Sequence, residues 1–345
     1  MSRLLSRYAK ATFWMARYVE RAENLARVLD VQETFSRDSR GGQNWRSVLQ
    51  LYADEERFLK NHKSVEAEDV IRFYILEQEN PASILACIKM ARENARTLRA
   101  LISTEMWVQL NMYFAKLRSL TPQDVAEPRL GRICMTIKEA CQTHTGITEG
   151  TFYRDEGWHF YQLGRLIERA DQTTRLLDVK YHLLLPSPSQ VGSPFDVSQW
   201  NAVLRSASGF HAFRRLYPSG MSPATVTGFL LFDRGFPRSV MACVSAIEET
   251  LTRLRARYSL RRGVASQERL DLLRTALEEE TSDSIIGRGL HEFLDGIQLA
   301  LIQVSEQLGR DFFGDPPPEE ETGAEAGEEA GGEAEPAAQG AGANA

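Results

Sequence analysis

The chain has 345 residues, of which 43% are apolar, 26% charged and only 9% aromatic, and this composition is typical of a globular protein rich in helix-forming residues. Its formal net charge of -6 comes from the C-terminal stretch, because residues 314–345 hold nine carboxylates and neither Lys nor Arg. The rest of the chain, with 41 basic and 38 acidic residues, lacks the concentrated basic excess of a nucleic-acid-binding protein, so we expect no nucleic-acid partner.

The apolar runs and the cysteines indicate the cellular location of the protein. The apolar runs are far shorter than the ~20 residues that cross a membrane, and the N-terminus, MSRLLSRYAK, lacks the hydrophobic core of a secretion signal. The four cysteines, Cys87, Cys134, Cys141 and Cys243, form no CxxC pair, which favours packed, reduced thiols. We therefore expect a cytoplasmic protein that is not membrane-bound.

The first patterned segment along the chain is an amphipathic helix over residues 15–29, whose apolar residues recur about 100° apart on one face. Further on, residues 70–88 (VIRFYILEQENPASILACI) predict a new helix with Asn80 as its cap and Pro81 in its first turn. A helix that contains Cys141 is predicted to end near Gly146.

The same patterns return in the second part of the chain. Residues 17–31 (RYVERAENLARVLDV) match residues 165–179 (RLIERADQTTRLLDV) at an offset of 148. WRSVL at 45–49 matches WNAVL at 200–204, and residues 70–88 match VTGFLLFDRGFPRSVMACV at 226–244. Three blocks in one order at nearly constant offset indicate an internal duplication.

These patterns predict the fold class. No sustained period-two alternation occurs, so we expect an all-α fold, a pseudo-twofold duplicated multi-helix bundle. The first helical repeat covers residues 1–150 and the second residues 151–313, and they pack as one domain because neither half buries its apolar faces alone. Residues 314–345, rich in Gly, Ala, Glu and Pro, are predicted to form a disordered acidic tail.

The charges of the repeat recur as faithfully as its apolar residues. Arg17 and Arg21 are like charges one helical turn apart, as are Arg165 and Arg169, which destabilises an isolated helix unless an anion lies between them. That anion is a glutamate of the other copy, or the carboxylate or phosphate of a ligand or partner; a plain solvated face is the third interpretation. The candidate residues for a buried network or binding site are Arg17, Glu20, Arg21, Arg27, Asp30, Arg165, Glu168, Arg169, Arg175 and Asp178.

A weaker candidate lies at the start of the second repeat. Glu156 and His159 have the E-x-x-H spacing of di-iron bundles, but a single such motif does not complete a metal site. We favour helix capping by Asp155 or Glu156 and packing by Trp158, and keep Asp155 and Glu156 as lower-ranked site residues. We expect neither a metal ion nor another cofactor.

Cysteine chemistry is a further alternative. Cys141 and His144 lie three residues apart and could form a thiolate–imidazole pair, but nothing in the sequence orients the imidazole. For Cys87 and Cys243, which match across the repeat, we favour core packing. The sequence therefore identifies no catalytic residue.

Several blocks together resemble a known family. FWMARYVERAENLARVLDV, EGWHFYQLGRLIERADQTTRLLDVKYHLLLP, ARENARTLRALISTEMW and LFDRGFPRSV are similar to the bacterial alpha-E domain, an all-helical family named for its Glu-Arg motif. The resemblance covers residues 3–313 and assigns the motif to Glu20-Arg21 and Glu168-Arg169. The glycines form neither a P-loop nor a dinucleotide-binding fingerprint, so this chain alone is not predicted to use ATP.

The resemblance implies partners for the chain. Family members are encoded beside, or fused to, a circularly permuted ATP-grasp ligase, often with a transglutaminase-like peptidase and sometimes with a proteasome-like peptidase. By this resemblance we expect a non-catalytic partner of a carboxylate–amine ligase in peptide synthesis or peptide modification, which binds the ligase or its peptide substrate. The alternatives are an enzyme of the same pathway that uses the Glu-Arg motif, and a purely structural oligomerisation module.

Overall fold

The computed structural model describes residues 4–38, 45–183, 193–258, 260 and 262–316. Every regular element within these ranges is a helix, which confirms the all-α prediction. The helices, numbered in chain order, are α1 (Ser6–Asp38), α2 (Arg46–Leu51), α3 (Glu55–Leu59), α4 (Ala67–Ile75), α5 (Ile84–Thr97), α6 (Thr104–Arg118), α7 (Pro122–Val125), α8 (Glu127–Thr151), α9 (Glu156–Leu183), α10 (Pro194–Ser206), α11 (Phe210–Leu216), α12 (Pro223–Phe232), α13 (Val240–Tyr258), α14 (Val264–Glu278), α15 (Ser282–Arg288) and α16 (Leu290–Leu308). A π-helical turn, Gly309–Phe313, continues α16.

The two longest helices, α1 and α9, form the centre of the fold. They pack along each other; α5 and α8 cover α1 on other sides, while α13 and α16 cover α9. The apolar face predicted for residues 15–29 is buried in this arrangement, with Met15, Leu25 and Leu29 each at most 1% exposed. Burial of this face is the main favourable contribution to the packing of α1.

A glycine sets the distance between the central helices. A Cβ atom at Gly164 on α9 would lie 2.2 Å from the carbonyl oxygen of Phe13 on α1, which is too close for any side chain. The backbones of α1 and α9 therefore meet directly at this point. Glu168 follows one helical turn later on α9, so the close approach brings its side chain within reach of α1.

Two predicted helix ends differ from the structure. Helix α5 begins at Ile84, and its cap is Ser83, whose Oγ accepts a hydrogen bond from the Ala86 N–H at 3.1 Å. Asn80 instead accepts from the N–H of Ala82 in the preceding turn, so the prediction that Asn80 caps the helix is wrong. Helix α8 likewise continues past Gly146 to Thr151, because a helical glycine with open space around it does not by itself end a helix.

The described residues up to Asp315 form one compact unit, and the predicted boundary near residue 150 lies inside it, at the end of α8. The predicted acidic tail falls, from residue 317 onward, outside the described residues. No helix of the described chain combines the length and apolarity needed to cross a membrane. The duplication and the two repeat boundaries stay predictions from the sequence.

Candidate functional site

The two Glu-Arg segments lie on the two central helices, the first on α1 and the second on α9. Because these helices pack along each other, the charged side chains of each are presented to the other. The carboxylates of Glu20 and Glu168 are enclosed, with side-chain exposures of 1% and 0%. A carboxylate shielded from water needs hydrogen-bond donors close to it, and arginines provide them here.

Glu168 on α9 is held by two arginines of α1. Its Oε2 accepts from Nε of Arg17 at 2.8 Å, and both of its oxygens accept from Arg21, at 2.6 Å from Nε and 2.9 Å from Nη2. The like charges of Arg17 and Arg21 thus have an anion between them. That anion is a carboxylate of the other segment, as in the first of the three interpretations of the repeated charges.

Glu20 on α1 has the reciprocal arrangement. It accepts from Arg169 of α9 at 2.8 Å from Nε and 2.9 Å from Nη2, and from Nη1 of Arg238 at 3.2 Å. Arg238 also donates to Asn24 at 3.1 Å and to Glu23 at 2.5 Å. Each buried glutamate is therefore shared by two guanidinium groups.

Arg238 is a member of the network that the sequence analysis missed. It lies in the turn before α13, and 218 residues separate it from Glu20. A signal was present, because Arg238 occupies the position in the repeated Pro-containing block where the first copy has Ala82. A charged residue in one copy and a small one in the other marks a place where the two sites differ.

Arg165 has partners away from Glu20. Its Nη2 donates to Gln162 at 2.6 Å and lies 3.5 Å from Glu149. The place beside Glu20 is taken by Arg238 instead. The two carboxylate clusters thus have the same number of arginines but draw them from different positions.

The arginines keep both glutamates ionised. Burial alone raises the pKa of Glu168, but the charges of Arg21 and Arg17 outweigh burial and lower that pKa to about 2. The pKa of Glu20 is also lowered, since the charges of Arg169 and Arg238 overcome the effect of burial. A carboxylate with so low a pKa is a weak base at neutral pH.

The third arginine of each segment anchors a short helix. Nη1 of Arg27 donates to the carbonyl of Ser206, the last residue of α10, and Nη1 of Arg175 donates at 2.9 Å to the carbonyl of Leu51, the last residue of α2. These carbonyls are among those that a helix end leaves without an internal partner. Both arginines also pair with the carboxylate four residues earlier on their own helix.

The last carboxylate of each segment points towards an outer helix. Asp30 accepts from Lys138 of α8 at 2.8 Å, and Asp178 lies 3.1 Å from Nδ1 of His291 on α16. Asp178, His291 and Asp295 bring three potential ligand atoms within 4.8 Å of one another, a grouping that could hold a metal ion. Because each ring nitrogen of His291 faces one carboxylate, at 3.1 and 3.4 Å, it is also the arrangement of a carboxylate–imidazole–carboxylate bridge. The 113 residues between Asp178 and His291 hid this grouping from the sequence analysis.

Asp155 and Glu156 lie at the start of α9, in contacts separate from the glutamate clusters. Oδ1 of Asp155 accepts from the N–H of Gly157 at 2.8 Å, which caps the helix. Oε2 of Glu156 accepts from the N–H of Leu4 at 2.6 Å and so ties the N-terminal segment to α9. Burial, together with nearby arginines, lowers the pKa of His159.

The cysteines are free thiols in buried positions. Burial raises the pKa of Cys141 well above its usual range and lowers the pKa of His144 to about 4. Burial also raises the pKa of Cys87 to about 12 and that of Cys243 to about 11. Since a nucleophilic cysteine acts as a thiolate, these groups are unsuited to nucleophilic catalysis near neutral pH.

A polar cleft of about 230 Å³ opens beside the Glu168 cluster. Its polar lining consists of three arginines, two aspartates, two tyrosines and one glutamine: Arg21, Arg57, Arg175, Asp54, Asp171, Tyr52, Tyr74 and Gln172. The arginines are the more exposed groups, Arg57 at 50% and Arg21 at 25%, whereas Asp171 and Asp54 are only 11% and 4% exposed. The cleft is therefore positive at its mouth and negative at its base.

A strained helix end shapes one wall of the polar cleft. Ala53, directly after α2 and its cap residue, has a φ of 52°, a left-handed conformation that costs free energy in a residue with a Cβ atom. The N–H of Asp54 returns to the carbonyl of Leu49 at 2.8 Å. Asp54 then accepts hydrogen bonds from Arg57 and, at 3.3 Å, from the hydroxyl of Tyr74. Desolvation raises the pKa of Asp54.

These features define an all-helical protein whose centre holds two reciprocal glutamate–arginine clusters, with a small polar cleft beside one of them. The chain belongs to the Alpha-E family, described as a predicted alpha-helical domain with a conserved ER motif, whose model matches residues 4–313. This match confirms the resemblance found in the sequence. Glu20-Arg21 and Glu168-Arg169 are the two Glu-Arg pairs of the chain's repeated segments.

Comparison with curated proteins gives longer relatives. The chain is similar to an uncharacterised protein of Mycobacterium bovis, 26% identical over 325 residues, and to one of Mycobacterium tuberculosis, 25% identical over the same length. Each alignment covers 86% of this chain but only 36% of the relative, so the chain spans about a third of the length of these proteins. No solved structure matches it.

Proposed function

We propose that this chain is a non-catalytic helical partner of an ATP-grasp carboxylate–amine ligase, in a cytoplasmic system that makes or modifies a peptide. The observation that carries the proposal is the length of the relatives, because the matching region makes up only 36% of them. A region like this chain is thus joined covalently to a larger part. The family resemblance implies that such a part, fused or separate, is an ATP-grasp ligase.

Covalent joining supports partnership on physical grounds. A linker raises the effective concentration of one part at the other to the millimolar range, which benefits two parts that act on each other. A separate chain must reach the same contact by its own affinity. We therefore expect this chain to bind its ligase, whether the two are fused or separate.

The chemistry of the described side chains supports a non-catalytic role. A general base acts best when its pKa is near the working pH, whereas the arginines lower the pKa of Glu168 to about 2. The buried cysteines have raised pKa values, and the pKa of His144 is lowered to about 4. At neutral pH Glu168 and His144 are thus too weakly basic for efficient proton transfer, and the cysteines remain thiols.

The experiment is co-expression of the tagged chain with the ATP-grasp ligase encoded nearest to it. We expect a complex that survives size-exclusion chromatography, and ligase turnover of ATP that rises when the chain is added. The matched control is the chain carrying Glu249→Ala, an exposed position on α13, which should retain both effects.

Two results would count against this function. The partnership is wrong when a folded chain forms no complex and leaves ligase turnover unchanged. Turnover of an amide or peptide by the isolated chain, lost in a folded Glu168→Gln variant, would instead favour the alternative of an enzyme that uses the Glu-Arg motif.

A further inference from the structure

The two glutamate clusters differ at one repeated position. In the second copy, Arg238 reaches back from the turn before α13 and inserts its guanidinium group among acceptors of α1. The matching residue of the first copy is Ala82, and Ala82 lines the polar cleft. The cleft thus lies where the first copy lacks the arginine side chain of the second.

The acceptors for a guanidinium group are present in both copies. Arg238 binds Glu20, Glu23 and Asn24, and the residues that match these three at an offset of 148 are Glu168, Asp171 and Gln172. Asp171 and Gln172 line the polar cleft. Helix α9 thus carries a carboxylate and an amide at the positions that match the arginine-binding residues of α1.

Neighbouring arginines do not prevent a cation from binding there. Glu20 is shared by Arg238 and Arg169, and Glu23 is shared by Arg238 and Arg27. The cluster around Glu20 and Glu23 therefore holds three guanidinium groups around two carboxylates. Planar guanidinium groups tolerate such sharing because each offers several directed N–H donors.

One difference between the copies restricts the ligand further. Glu168 already has Arg17 as its second arginine, so an added cation in the polar cleft finds less uncompensated negative charge than Arg238 does. A ligand that brings its own carboxylate removes this excess positive charge. Arg57 is half-exposed at the mouth and donates to Asp54 through one Nη atom, which leaves its Nε and other Nη without a partner among the described residues.

We propose that the polar cleft binds an arginine residue with a free carboxylate, as the free amino acid or as the C-terminal residue of a peptide. Its guanidinium group donates hydrogen bonds to Asp171 and Gln172, as Arg238 does to Glu23 and Asn24. Its carboxylate pairs with Arg57 and Arg21 at the mouth of the cleft. A volume of about 230 Å³ is below the ~300–1,000 Å³ of drug-sized sites and suits one amino-acid residue. This proposal rests on the cleft alone and does not depend on the ligase partnership.

Isothermal titration calorimetry of the full chain with a ligand series tests the proposal. L-Arginine and Nα-acetyl-L-arginine should each bind at one site per chain. L-Citrulline, which lacks the cation, and agmatine, which lacks the carboxylate, should bind at least tenfold more weakly; L-lysine should also be weaker, since an ammonium group does not reproduce the planar fork. Tighter binding of a peptide that ends in arginine assigns the site to a peptide end, whereas tighter binding of L-arginine assigns it to the free amino acid.

Variants of the repeated position provide the decisive comparison. Ala82→Arg places in the cleft the side chain that the second copy has, so it should abolish binding while the circular dichroism spectrum stays unchanged. Ala115→Arg, on the exposed surface of α6, adds the same charge elsewhere and should bind as the unaltered chain does. Arg238→Ala opens the matching place beside Glu20 and Glu23 on α1 and should raise the number of bound arginines from one to two.

Two binding results would contradict the proposal. Binding that is equal in the unaltered chain and in Ala82→Arg overturns it, as does the absence of binding by L-arginine and Nα-acetyl-L-arginine at millimolar concentration. Should Ala82→Arg fail to fold, Ala82→Gln fills the same space without a charge and is judged by the same criterion. Ala82→Arg should still co-purify with the ligase, because the cleft is not needed for the ligase partnership. Loss of arginine binding with retention of the ligase therefore tests the cleft separately from the proposed function.

Discussion

At the scale of single residues, the centre of the molecule is an electrostatic compromise. Glu20 and Glu168 lose their hydrogen bonds to water on burial, and short, directed hydrogen bonds from arginines replace them. Such buried pairs contribute little net stability relative to apolar residues, because desolvation opposes the attraction of the charges. Removal of one partner is nevertheless strongly destabilising, because the other charge then stays buried without an opposite charge next to it.

Glu168→Ala therefore tests the network. It leaves Arg17 and Arg21 next to each other without their anion, and we expect the free energy of unfolding to fall by about 3–5 kcal/mol. The control is Glu249→Ala, which breaks an exposed i,i+4 pair with Arg253 and should cost less than about 1 kcal/mol. Urea unfolding followed by circular dichroism measures both, and equal midpoints would contradict a buried network.

The sequence allowed part of this site to be predicted. Repeated like charges on one helix face required an anion, and Glu168 supplies it for Arg17 and Arg21. Arg238 and the polar cleft escaped prediction because side chains from distant turns converge there, and helical spacing relates only residues of one helix.

At the scale of elements, a glycine allows the close approach of the two central helices. The helical periodicity of residues 15–29 predicted which face of α1 is buried, but not its neighbour. The close approach at Gly164 places α9 directly on Phe13 of α1. A glycine within a helix is unfavourable by propensity alone. Its role as a contact point could not be predicted from the sequence, because it depends on which helix packs against α9.

Gly164→Ala should consequently be destabilising even though alanine is the better helix former. The added Cβ atom meets the carbonyl oxygen of Phe13 at 2.2 Å, so α1 and α9 must move apart, at a cost of about 1–3 kcal/mol. Gly146→Ala on α8 is the matched control, because no atom lies within 4 Å of its added Cβ. That control should gain up to about 1 kcal/mol from helix propensity, and a gain of similar size at Gly164 would show that the helices are not in contact there.

At the scale of the whole molecule, the charges give the fold a dependence on pH. The pKa of Glu168 is about 2 in the folded chain against an ordinary value of 4.5, so its contribution to stability is present above about pH 4.5 and is lost as the pH falls towards 2. Burial lowers the pKa of His144 from 6.5 to about 4. Below pH 6.5 this histidine therefore takes up a proton in the unfolded chain but not in the folded one. The free energy of unfolding consequently falls as the pH is lowered towards 4.

The two groups act in different pH windows, and a variant separates them. Between pH 6.5 and about 4 we expect His144 to contribute a decline in the free energy of unfolding of up to about 1.4 kcal/mol per pH unit. His144→Gln keeps a polar group next to Gln109 but does not titrate, so urea unfolding across this window should give a flatter curve. His211→Gln, on the surface, is the control and should leave the curve unchanged. Parallel curves for His144→Gln and the unaltered chain would exclude His144 as the source. The loss below pH 4.5 should remain in both, since it belongs to Glu168 and Glu20.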